Sequence, residues 1–207
     1  MKEILKKKRF YILLISIFFL LLLVILMLKN GVLSIDEISY SFIKKNLISE
    51  KITPYVIILT NLGGVFVLII ASLIMLLFVK DKKILIAIIV NPIISFLVNY
   101  GLKLLFRRIR PDNINWLVNV VGYSFPSGHA EVSMAYYGFL IYLIYTKFKS
   151  KKYKYLLISL LTCIILFIGI SRIYLGVHYL SDVLAGYLVS IIYLVIFVYF
   201  YEKIIRV

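Results

Sequence analysis

Apolar residues in this chain gather in long unbroken runs instead of alternating with polar ones. Six runs approach the roughly 20 residues that a helix needs to cross a hydrocarbon core of about 30 Å. They are Phe10–Leu28, Tyr55–Val79, Ile84–Phe106, His129–Thr146, Tyr155–Ile173 and Val183–Tyr201. The first follows Lys6-Lys7-Lys8-Arg9 and so has the flank of a signal peptide. Its apolar core exceeds the usual ~7–15 residues and no small-residue cleavage site follows, so it reads as a span. Between the first and second runs, Ser34-Ile35-Asp36-Glu37 fits a helix-capping box. Ile35, Ile38, Phe42, Ile43 and Leu47 recur there at helical spacing, which predicts a short amphipathic helix on the membrane interface. The expected fold is an all-α membrane protein of six transmembrane helices plus this interfacial helix. Residues 1–207 form a single membrane domain with no soluble appendage.

Composition sharpens this picture. Hydrophobic residues make up 63% of the chain, against about 45–50% in a soluble domain. The single cysteine, Cys163, lies inside an apolar run and reads as a small buried hydrophobe. The net charge of +15 would suggest nucleic acid in a soluble protein. Here the cations follow the topology instead. The N-terminal segment, Lys80–Lys83, Lys147–Lys154 and the C-terminal segment share one side of the six-span layout and hold 15 of the 24 Lys and Arg residues. By the excess of cations in cytoplasmic loops, both termini are cytoplasmic. No nucleic-acid partner is expected. The partners are the bilayer and its anionic lipids.

The polar residues that remain carry the candidate chemistry, because ionisable groups at membrane depth are costly to keep. They form three clusters on the outer side: Lys103 with Arg107, Arg108 and Arg110-Pro111; Pro126-Ser127-Gly128-His129; and Ser171-Arg172 with His178 and Asp182. Both histidines of the chain fall in these clusters. His178 and Asp182 are four residues apart, a spacing that lets a carboxylate fix one ring nitrogen and leave the other free as a nucleophile. Guanidinium forks match phosphate oxygens, and the unpaired N–H groups of a helix beginning at Gly128 form an anion site. His129 is placed to protonate a leaving oxygen and later activate water. No acidic cluster suited to a hard cation is present, and two histidines with one Asp make a poor zinc set, so no metal or cofactor is expected. Glu131, two residues beyond His129, reads as structural. Asn61 with Gly63-Gly64, and Asn91-Pro92, read as local kinks or small-residue packing; the competing reading is the broken helices of a lipid transporter or flippase.

The three clusters match in full, and in order, a three-part signature: Lys-x6-Arg-Pro at Lys103–Pro111, Pro-Ser-Gly-His at 126–129, and Ser-Arg-x5-His-x3-Asp at Ser171–Asp182. In this the chain resembles the type 2 phosphatidic acid phosphatase superfamily. The resemblance implies a metal-independent phosphatase in which His178 forms a phosphohistidine, Asp182 orients it and His129 acts as acid, then base. It implies Lys103, Arg110, Arg172, Ser127 and Gly128 as phosphate ligands, with Arg108 added because membrane-bound bacterial members often carry arginine there. The short chain resembles small bacterial members. The implied location is the bacterial plasma membrane with the site facing outward. Undecaprenyl diphosphate is the expected substrate, with phosphatidylglycerophosphate or phosphatidic acid as the alternative.

Overall fold

The computed structural model describes residues 2–112, 116–148 and 150–206, with side chains from residue 7 to residue 204. Of the basic residues assigned to the inner side, Lys149 and the side chains of Lys2, Lys6 and Arg206 lie outside the described set. The described residues form eight α-helices: α1 (Lys2–Asn30), α2 (Ser34–Asn46), α3 (Thr53–Thr60), α4 (Val65–Ile74), α5 (Lys82–Phe106), α6 (Gly128–Lys147), α7 (Lys151–Tyr174) and α8 (Leu180–Arg206). Four of them, α1, α5, α7 and α8, are long and apolar enough to cross a membrane.

The run Tyr55–Val79, read in the sequence as one span, is two helices with 3-10 turns at Asn61–Gly63 and Met75–Leu77, bent by 63°. The break falls at Gly64, whose extended backbone (φ −75°, ψ 131°) leaves the helix. A side chain at Gly63 would lie 2.5 Å from Ile168 and 3.2 Å from the His129 carbonyl, so α6 and α7 press directly on the peptide there. Asn91-Pro92 does not break α5. Proline frees the carbonyl four residues earlier, and that carbonyl, Ile88, accepts from Ser72 Oγ of α4 at 3.3 Å.

Helix α6 is the hub. Its Ala130, Val132, Ala135, Tyr136 and Phe139 are all at most 2% exposed. Small residues let its neighbours close in, as expected where lipid supplies no hydrophobic drive between helices. Gly186 of α8 sits where a Cβ would meet the Ser127 carbonyl at 2.9 Å. By contrast α1 lies at the rim, with Phe18, Leu21 and Ile25 exposed as a helix bathed in lipid would be. Cys163 is likewise exposed on α7, correcting the expectation of a buried thiol. A lipid-facing surface accepts the same small hydrophobe as a core.

The short helix expected between the first two runs forms as α2, but its cap shifts by one residue. Leu33 is the N-cap, and Asp36 rather than Glu37 reaches back to the Leu33 N–H at 3.1 Å. Ile35, Ile38 and Phe42 point outward while Asp36 and Ile43 are buried. At the opposite end of the bundle, Arg9 of α1 forks onto Glu202 of α8 at 2.9 and 2.8 Å, which brings the two chain ends together.

Candidate active site

The ends of four helices converge on one place: the C-terminal turns of α5 and α7 and the N-terminal turns of α6 and α8. Lys103 comes from the last turn of α5. The chain then turns sharply at Arg107, in the left-handed region at φ 47°, a costly conformation for a residue with a Cβ. This carries Arg108 and Arg110 back over the bundle.

Asp182, in the first turn of α8, is fully buried and surrounded by donors. Its Oδ2 accepts from Tyr179 N–H at 3.0 Å and from Ser124 Oγ, and lies 3.3 Å from His178 Nδ1. Its Oδ1 accepts from Arg108 Nη1 at 2.6 Å. On the other side of the ring, Arg110 Nη1 stands 3.1 Å from His178 Nε2. A carboxylate can only accept and a guanidinium can only donate. The two together select one tautomer: proton on Nδ1, lone pair on Nε2. Burial pushes the His178 imidazole down to about 3, against the opposing pull of Asp182. The ring is therefore neutral and nucleophilic at neutral pH.

Arg110 is held by backbone carbonyls, donating to Gly122 at 3.0 Å, Val177 at 2.7 Å and Val121 at 3.3 Å. Burial lowers its pKa from the ordinary arginine value. Lys103 Nζ donates to the carbonyls of Tyr123 and Ser124, the latter at 3.2 Å. Arg172 donates through Nη1 to Thr60 Oγ1 at 3.2 Å, and its buried Nε has no partner among the described residues.

These groups line a cavity of about 690 Å³ with Gly128, His129 and His178. Three cations and two imidazoles face it, and no carboxylate does among the described lining residues. One flank is apolar, built by Val65, Phe96, Tyr100, Leu104 and Val132. The cavity thus pairs an anion-binding head with a lipid-compatible side.

Besides Asp182, which reaches it only through His178, two of the sequence-selected residues stand apart from it. Ser127 is fully buried behind Gly128; its N–H bonds the Asp182 carbonyl at 3.0 Å, and its Oγ has no partner among the described residues. Arg108 does not line the cavity. Its guanidinium is used up on Asp182, on Ser181 Oγ at 2.7 Å, on the Gly31 carbonyl at 2.7 Å and on Asp36 at 3.1 Å, with its face over Tyr179. These bonds turn it toward Asp182 and Asp36 and away from the cavity lining, whereas the resemblance implied a place among the phosphate ligands. Glu131 is buried and accepts from Asn99 Nδ2 at 2.6 Å. Asn99 also donates to the Pro126 carbonyl at 3.3 Å and abuts Gly128, so the pair braces the turn that opens α6. Ser124, Ser181 and Asn99 carried no sequence signal and Asp36 only that of a helix cap, because each bonds partners tens of residues away.

The comparisons fit this geometry. Residues 65–206 match the PAP2 superfamily. Over 114 residues the chain is 35% identical to phosphatidylglycerophosphatase B of Bacillus subtilis, covering 53% of this chain and 54% of that one. Over 139 residues it is 27% identical to an undecaprenyl-diphosphatase of Sulfolobus acidocaldarius, covering 65% and 63%. The match thus spans about half to two-thirds of the length of these curated relatives. Among solved structures, the transmembrane PAP2-type phosphatidylglycerolphosphate phosphatase of Bacillus subtilis superposes with a TM-score of 0.82 at 28% identity, covering 94% of this chain and 98% of that one. The fold is also shared with Aquifex aeolicus LpxE, at a TM-score of 0.64, 22% identity and coverage of 81% and 96%. With the family match extending over more than half of its length, the chain belongs to the PAP2 superfamily.

Proposed function

We propose that this protein is a metal-independent lipid phosphate phosphatase working through a phosphohistidine on His178. One observation carries the reading: the Nε2 lone pair of His178, its tautomer fixed from both sides, faces the same cationic cavity as His129. Nε2 attacks phosphorus and the bond to the leaving oxygen breaks, while His129 protonates that oxygen. The imidazole becomes positively charged as it bonds phosphorus, and the Asp182 carboxylate beside Nδ1 stabilises that charge. Arg110 moves its N–H from Nε2 to a phosphoryl oxygen, joined by Lys103, Arg172 and the N–H groups at Gly128. Water, activated by His129, then attacks the phosphohistidine, releasing phosphate and restoring the ring.

The substrate is a lipid with a terminal phosphate or diphosphate, its tail against the apolar flank. Phosphatidylglycerophosphate is suggested by the names of the relatives at 35% and 28% identity, and undecaprenyl diphosphate by the relative at 27%. The cavity recognises the terminal phosphate common to both. The whole chain acts as one membrane domain of six spans, with the bent α3–α4 pair and the hub α6 completing the four apolar helices. The termini lie on the cytoplasmic side of a bacterial plasma membrane and the site on the other. In support, Arg9 and Glu202 join the two chain ends at the end of the bundle remote from the cavity.

Phosphate release from each of the two lipids in detergent with EDTA, wild type against His178→Ala, tests the reading. Release by the wild type alone is expected. Release by the variant at the wild-type rate, or loss of release on adding EDTA, overturns the mechanism. Lipid movement across vesicles without phosphate release would favour the transporter alternative.

A further inference from the structure

Behind the cavity lies a chain of buried charges that the chemistry above does not use. Asp36, from the outer helix α2, has a fully buried side chain, although it is 146 positions away from Asp182. Its Oδ1 accepts from Ser181 N–H at 2.8 Å, and its Oδ2 accepts from Ser181 Oγ at 2.8 Å and Arg108 Nη2 at 3.1 Å. Arg108 spends its other arm, Nη1, on Asp182 at 2.6 Å and on Ser181 Oγ at 2.7 Å. Ser181 therefore accepts from the arginine and donates to Asp36, so no proton is in conflict. A guanidinium is planar, and fixing one arm fixes the direction of the other. Asp182 in turn holds the His178 ring.

We infer that Asp36 is a positioning residue for the phosphatase reaction: through Ser181 and Arg108 it sets the orientation and the acceptor strength of Asp182, and so the tautomer of His178. The inference rests on the reading of His178 as nucleophile. Two effects act in the same direction. With Asp36 neutral, the whole charge of Arg108 draws on Asp182, which then stabilises an imidazolium less well. Freed from its second carboxylate, Arg108 also loses the geometry that aims Oδ2 at Nδ1. The consequence is that α2, whose Ile35, Ile38 and Phe42 face outward, is tied to the reaction centre by one carboxylate.

The chain has two histidines, so its ¹⁵N-histidine spectrum holds two rings, and His129→Gln assigns them. In the wild-type protein His178 is expected as the tautomer protonated on Nδ1. In Asp36→Asn its two ring nitrogens should move toward a mixture of tautomers while His129 keeps its shifts. The kcat should fall about 10- to 100-fold, the usual cost of losing a group that orients a reacting residue through one intermediary, with KM nearly unchanged. In an Asp182→Asn background, Asp36→Asn should cost nothing further, since its route runs through Asp182. Ser181→Ala, which leaves both carboxylates in place, should give the same spectral change in smaller degree and serves if Asp36→Asn does not fold. Unchanged His178 shifts in a folded variant, or an equal loss of rate in the Asp182→Asn background, would overturn the inference. Absence of phosphate release by the wild type would overturn the phosphatase reading instead, and the ring shifts would still decide the role of Asp36.

Discussion

Each end of the bundle holds an arginine clasped by acid, and the two clasps differ in kind. At the end where the termini meet, Arg9 and Glu202 pair at 2.8 Å with side chains 29% and 27% exposed. At the other, Arg108 and Asp182 pair at 2.6 Å with 7% and 0% exposed. Water competes for the first pair and screens it, so it does little more than tie α1 to α8, with Tyr142 of α6 donating to Glu202 at 2.9 Å. The second pair is out of water, and its partners are aimed by neighbours: Asp36, Ser181 and the Gly31 carbonyl around the arginine, Ser124 and Tyr179 around the aspartate. Removing one member there strands a charge. The same two residue types thus act as a clip at one end and as an alignment device at the other. The difference lies in burial and in the second ring of hydrogen bonds.

Substitutions can break this contrast or sharpen it. The largest effect should come from His178→Ala, which removes the lone pair the buried end is built to present. Phosphate release should drop by about 10⁴-fold or more, toward the background of binding alone, in a single-turnover assay. Asp182→Asn keeps the size of the side chain but lets it donate to Nδ1, inverting the tautomer. A loss of about 10³- to 10⁴-fold in kcat is expected, with substrate affinity retained. A rate near that of the wild type would make the buried clasp structural only.

Arg108→Ala then compares directly with Arg9→Ala. The first leaves Asp36 and Asp182 buried without their counter-charge and should lower stability by about 3–5 kcal/mol. The second should cost about 0.2–1 kcal/mol and leave turnover unchanged. Denaturation midpoints in one detergent read both, and equal losses would erase the distinction. A subtler difference lies in pH. The folded His178 is held down to about 3 from an ordinary 6.5, so the unfolded chain takes up its proton first as the solution is acidified. Stability should therefore fall as pH drops below about 6.5 and keep falling toward about 3. His178→Gln should flatten that slope, whereas Arg9→Ala should leave it intact.

How much of this was legible in the chain follows the same division. Long apolar runs predict the positions of α1, α5, α7 and α8, because a helix facing lipid needs little besides length and apolarity. The short helix α2 was visible from the spacing of Ile35, Ile38 and Phe42. The bend at Gly64 was not, since the apolar run continues across it and the cause is an approach by α6 and α7 from elsewhere in the sequence. Lys103, Arg110, His129, Arg172 and His178 could be grouped from spacing and side, and the structure brings all five to one cavity. Arg108 could not be separated from Arg110, because two arginines in one turn look alike until their partners are known. Asp36 looked like one residue of a helix-capping box. Its partners are on α5's trailing loop and α8, and no periodic pattern within α2 reports them.

The adjacent glycines at the bend carry a consequence for engineering. They look equivalent in the sequence, yet a methyl group at Gly63 would collide with Ile168 at 2.5 Å, while one at Gly64 would meet the Asn61 carbonyl at 3.2 Å and stand 3.9 Å from His129 Nε2. Position 63 is locked by a neighbouring helix and position 64 by the carbonyl of its own turn, beside the His129 ring. A designer adding a methyl group beside that ring at position 64 must let the Asn61 carbonyl give by a few tenths of an ångström, whereas at position 63 a side chain of α7 has to move.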